Sequence, residues 1–112
     1  GQRLVIDNRT YYLMPLEQRL AKAAGNVPAT VMMIGETLTV FVDSHVRRIK
    51  EDEPKVRACL CEVGVSQRPR IIYGPIPRDP RHYSRIDYAR LRSSAVLEAN
   101  PELEKETDLS YS

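Results

Sequence analysis

The chain has no tryptophan and one phenylalanine, so any core it builds must be filled by leucine, valine, isoleucine and methionine. It has only two cysteines, Cys59 and Cys61, too close together for an unstrained bridge. That excludes a disulfide-stapled scaffold and favours the cytoplasm or another reducing compartment. No apolar run approaches the roughly 20 residues that span a bilayer, and the first residues lack the apolar stretch of a secretory signal, so no membrane role is expected. Asn8-Arg9-Thr10 fits the N-glycosylation acceptor pattern, but no such signal accompanies it. Residue 1 is glycine, as in an excised domain or a processed product.

The catalytic repertoire is equally thin. The sequence contains no glycine-rich phosphate loop, no GxSxG elbow, no HExxH pair and no closely spaced carboxylate dyad. Cys59-Leu60-Cys61 together with His45 and His82 raises the question of a metal. On a helix, however, side chains two residues apart point about 200° apart around the axis, so the two thiols cannot chelate one ion. We therefore expect a non-enzyme with no catalytic residues, no metal and no cofactor.

What is present fits one small domain with an appended segment: 112 residues, 42% of them hydrophobic. We place the compact domain at residues 1–74 and an extended basic arm with an acidic tail at residues 75–112. Residues 4–7 and 10–13 read as strands joined by Asn8-Arg9 in a tight hairpin. Pro15 suits a first helical turn, Leu16, Leu20, Ala23 and Ala24 recur at helical spacing, and Gly25 stops the helix. Residues 30–34 and 37–42 flank Gly35-Glu36, a glycine-led two-residue turn and the clearest hairpin signal in the chain. In the second of these strands Leu38, Val40 and Val42 form the wholly apolar face and are assigned to the core. Asp43-Ser44 either caps a helix or turns the chain into a third strand over residues 45–50, in which Val46 alternates with charged neighbours; the strand is favoured because residues 51–54 make the better helix start. Glu51-Asp52-Glu53-Pro54 opens a helix, whose apolar face is Val56, Cys59, Leu60 and Val63 and whose stop is Gly64. Residues 70–73, flanked by Pro69 and Pro75, form an edge strand. Pro77 and Pro80 then help Pro75 keep the chain extended before a loosely periodic helical stretch over residues 84–99.

These elements predict an α+β fold: a small antiparallel sheet or partial barrel of about five to six short strands in meander order, two short helices and an extended Arg/Pro-rich C-terminal arm.

The charges are unevenly laid out. Residues 65–92 hold seven arginines against Asp79 and Asp87, a net +5, whereas residues 93–112 carry a net −4. The basic stretch interleaves cations with rings. Guanidinium groups neutralise phosphates, and tyrosine rings stack on unpaired bases. The candidate nucleic-acid contacts are Arg68, Arg70, Arg78, Arg81, Tyr83, Arg85, Tyr88, Arg90 and Arg92, joined by a second basic cluster at Arg47, Arg48 and Lys50. The expected function is nucleic-acid binding or nucleoprotein assembly. The alternative is a protein-interaction or oligomerisation subunit whose arm docks on a larger complex or on a second copy of the chain, its arginines paired to acids such as those of residues 51–53.

Overall fold

The computed structural model describes residues 2–82 and 84–99. The protein is α+β, with five strands in two sheets and three helices among the described residues. The chain divides after Pro75 into two units.

The first unit opens with a two-stranded hairpin, β1 (Arg3–Ile6) paired antiparallel with β2 (Arg9–Tyr12). Its turn is Asp7-Asn8, one residue earlier than the sequence suggested, with φ of 50° and 66°. Two positive φ values in succession are what a tight hairpin turn of the primed type demands, and Asp and Asn tolerate them better than Arg9 would. Leu4 and Ile6 point inward while Arg3 and Val5 point out. Helix α1 (Leu13–Ala23) follows at once, with Pro15 in its first turn and Leu13, Leu16 and Leu20 buried. Gly25 (φ 86°) closes it: the Gly25 N–H donates to the Lys22 carbonyl and the Asn26 N–H to that of Ala21, the paired bonds of a Schellman cap.

Strands β3 (Ala29–Ile34) and β4 (Thr37–Val42) form the second hairpin, with Gly35 at φ 61° leading its turn. Leu38, Val40 and Val42 are buried as expected, but so are Thr39 and Phe41 on the opposite face. The reason is position: β4 is the middle strand of a three-stranded sheet ordered β3-β4-β5 and is covered on both sides.

The expected strand over residues 45–50 does not exist. Residues 43–48 are a loop in which the Ser44 hydroxyl accepts the Val46 N–H at 3.1 Å, and the chain then enters helix α2 (Ile49–Glu62). The helix begins two residues before the acidic run, so Glu51 and Asp52 occupy its first turn, where the dipole favours carboxylates. Val56, Cys59 and Leu60 are buried and Cys61 is exposed. Gly64 (φ 92°) ends α2 with a second Schellman cap, the Val65 N–H reaching the Leu60 carbonyl at 2.9 Å. The two helices pack on each other, and α1 also packs on β3.

Strand β5 (Arg70–Tyr73) pairs parallel with β4, so the sheet is mixed rather than antiparallel and the order is not a meander. The β4-α2-β5 stretch is a crossover unit: a helix carries the chain back to the end at which β4 began, as a parallel pair requires. Nor do the strands form a single sheet or barrel, since β1 and β2 pair only with each other among the described residues.

The second unit begins at Ile76. Its first part is not extended. Arg78 and Ile86 form an antiparallel bridge, the Asp79 N–H donates to the Arg85 carbonyl at 2.8 Å, and the Asp87 N–H donates to the Pro77 carbonyl at 2.9 Å, so residues 77–79 are held against residues 85–87. Helix α3 (Tyr88–Ala99) follows, capped by the Asp87 carboxylate, which accepts the Arg90 N–H at 3.0 Å. Ile76, Leu91 and Ala95 are buried. Of the acidic tail, Glu98 lies in α3, and everything beyond residue 99 lies outside the described residues.

Candidate functional site

The twelve basic and aromatic candidates fall in both units. Arg47, Arg48, Lys50, Arg68 and Arg70 belong to the first; Arg78, Arg81, Arg85, Tyr88, Arg90 and Arg92 belong to the second; Tyr83 lies outside the described residues.

In the first unit the cations gather around α2, and so do acids. Arg47 and Arg48 are exposed in the 43–48 loop and Lys50 is the second residue of the helix. Arg48 lies 4.0 Å from Glu51, and Arg68 donates to Glu53 at 2.9 Å. These pairs are surface-exposed, worth about 0–1 kcal/mol each, but they leave those guanidinium groups with a carboxylate already in place. Arg70 opens β5 and is exposed.

The same helix holds a polar contact that reading the sequence missed. Asp52 is only 4% exposed, and its Oδ2 accepts a hydrogen bond from the Tyr73 hydroxyl at 2.7 Å. The parallel pairing of β5 brings Tyr73 level with Val42 at the carboxyl ends of the strands, where α2 begins. Burial pushes the Tyr73 hydroxyl up to about 12, and the bond to Asp52 and its negative charge push the same way; the Arg48 backbone and the Arg47 charge oppose them. At neutral pH the phenol is therefore a locked donor. It ties the start of α2 to the end of β5. No local signal marks the pair, since the two residues are 21 apart and Asp52 sits in a run that reads as a solvated helix start.

In the second unit the acids are occupied differently. The Asp79 carboxylate accepts the Arg81 N–H at 2.8 Å, and that of Asp87 accepts the Arg90 N–H. Both carboxylates are turned to the main chain. Arg81, Arg85 and Arg90 are exposed and form no ion pair among the described residues. Arg78 and Tyr88 are half-buried, and Arg92 is exposed on α3, two positions from Arg90 and so on a different side of the helix.

Among the described residues no group of three or more His, Cys, Asp or Glu side chains could hold a metal ion, and no helix is long and apolar enough to cross a membrane. Burial raises the Cys59 thiol above its ordinary value, with the Arg19 charge opposing, so it stays protonated inside the core. Compared with known proteins, the chain matches no family model, no curated protein and no solved structure. Any function must be argued from its own side chains.

Proposed function

We propose that the chain is a non-enzymatic nucleic-acid-binding module whose principal contact is made by the arginines of the second unit. The observation that carries this reading is the turning of Asp79 and Asp87 to backbone N–H groups while Arg81, Arg85 and Arg90 face solvent. Guanidinium groups with no carboxylate on them neutralise phosphates without first breaking an ion pair, and each neutralised phosphate releases a counterion. The pairing of residues 77–79 with residues 85–87 supports the reading further, because holding Arg78 to Ile86 lowers the conformational entropy lost when Arg81 and Arg85 dock. Arg47, Arg48, Lys50, Arg68 and Arg70 extend the basic character, with Arg48 and Arg68 muted by their acids.

The test is binding of labelled oligonucleotides of several sequences to the wild-type chain and to an Arg81→Gln, Arg85→Gln, Arg90→Gln triple variant. We expect affinity to fall alike for every sequence, with an unchanged melting temperature, because all three side chains are exposed. Unaltered nucleic-acid affinity together with loss of a dimer or of a co-purifying protein would move the function to protein docking.

A further inference from the structure

The outer face of the β1–β2 hairpin bears residues that neither the fold nor the arginine surface uses. Register places Arg3 opposite Tyr12 and Val5 opposite Thr10, all four on the side turned away from Leu4 and Ile6. Val5 is 58% exposed, Tyr12 64% and Met14, two residues on, 69%. No other large apolar or aromatic side chains among the described residues are as exposed. The Arg3 guanidinium lies 5.5 Å from the centroid of the Tyr12 ring and in no ion pair among the described residues. The face thus combines an exposed strand pair, a ring with a cation over it and a neighbouring apolar side chain, and its four strand residues, Arg3, Val5, Thr10 and Tyr12, include no carboxylate.

The geometry points to a base-stacking platform for single-stranded nucleic acid, centred on Tyr12 and Arg3. This rests on the nucleic-acid reading above and adds to it a second contact and a strand preference. The chemistry selects the ligand. A ring on an open strand surface takes the face of an unpaired base whatever its sequence, and a base pair in a duplex has no such face to offer. Arg3 contributes twice, as a guanidinium over the ring and as an unneutralised charge for the adjoining phosphate. The cation, with no acid among the strand residues of the face, favours a polyanion over a second copy of this face, which would bring two arginines together. Arg9 does not take part, because it lies on the other side of the hairpin against Tyr11 and close to Gly64.

The experiment compares wild type, Tyr12→Ala, Tyr12→Phe and the triple arginine variant, each titrated with a fluorescein-labelled oligothymidylate and with a duplex of equal length. A second arm crosslinks a bromodeoxyuridine-substituted oligothymidylate under ultraviolet light and maps the adduct by mass spectrometry. Loss of one stacked base predicts that Tyr12→Ala weakens the single strand about tenfold and leaves the duplex unchanged. Tyr12→Phe keeps the wild-type affinity, since the ring and not the hydroxyl stacks. The adduct falls on the peptide containing Tyr12. If Tyr12→Ala binds the single strand as wild type does while the triple variant loses it, the platform is wrong and the arginine surface stands. If wild type binds neither ligand, both fall. If Tyr12→Ala instead abolishes self-association, the face belongs to a second copy and the platform is overturned.

Discussion

In the first unit the acids of α2 take up cations, Glu51 beside Arg48 and Glu53 bound to Arg68, and the buried Asp52 takes up a tyrosine hydroxyl. In the second unit Asp79 and Asp87 hold the main chain instead, and the neighbouring arginines face water. Counting charges along the sequence treats the two alike. The difference lies in what each carboxylate touches: the first arrangement fastens elements to one another, whereas the second shapes a loop and a helix end, and Arg81, Arg85 and Arg90 form no ion pair among the described residues. Net charge shows where cations cluster, and the folded contacts decide which of them have a carboxylate beside them.

The largest expected effect tests the core of the first unit. Val40 is fully buried in the central strand, so Val40→Asp places an unpaired charge in the core and should destabilise by about 3–5 kcal/mol, enough to abolish a cooperative melt in circular dichroism. An unchanged melting temperature would break the assignment of β4 as the covered strand. Next comes α2: Leu60→Ala should cost about 2–5 kcal/mol and Cys61→Ser almost nothing, and denaturant midpoints separate the two. Equal sensitivity would mean that the outer side of α2 is also covered, as in an oligomer.

Tyr73→Phe removes the one hydrogen bond from Tyr73 to buried Asp52 and should cost about 1–3 kcal/mol at neutral pH. Its pH dependence sharpens the test. Because the folded phenol is held at about 12, above its ordinary 10, the stabilisation is complete below pH 10 and is lost as pH rises towards 12. Wild type should lose stability across that window and the phenylalanine variant should lose less, as followed by urea melts at stepped pH. A modest effect is expected at Gly64, where a β-carbon would come within 2.7 Å of the flexible Arg9 guanidinium at a φ of 92°. Gly64→Ala should cost about 1–2 kcal/mol, mostly from backbone strain.

The parts of the fold legible in the sequence are those fixed by neighbours. Gly35-Glu36 marks the β3–β4 turn, Gly25 and Gly64 end their helices, and the spacing of Val56, Cys59 and Leu60 identifies the buried side of α2. The parts that were not legible depend on residues far apart. Parallel pairing of β5 with β4 follows from the α2 crossover, and a four-residue strand carries no mark of its partner's direction. Residues 45–50 alternate well enough for a strand, but the Ser44 turn and the acids at positions 51 and 52 draw the last two into the helix. Asp52 and Tyr73 could be joined only once that crossover was known. Of the candidate site, the basic residues were legible as a list; which of them carry a carboxylate was not, because Arg68 and Glu53 meet only in the folded chain.

The central claim is that the second unit's arginines face a polyanion, and the salt dependence of binding tests it most directly. Affinity of wild type and of the Arg81→Gln, Arg85→Gln, Arg90→Gln variant for one single-stranded oligonucleotide is measured over a series of salt concentrations and plotted log against log. The account predicts a straight, steep line for wild type and a line flatter by about one unit per lost phosphate contact, close to three in all, for the variant. Parallel lines for the two proteins, or a wild-type affinity that does not change with salt, would contradict it.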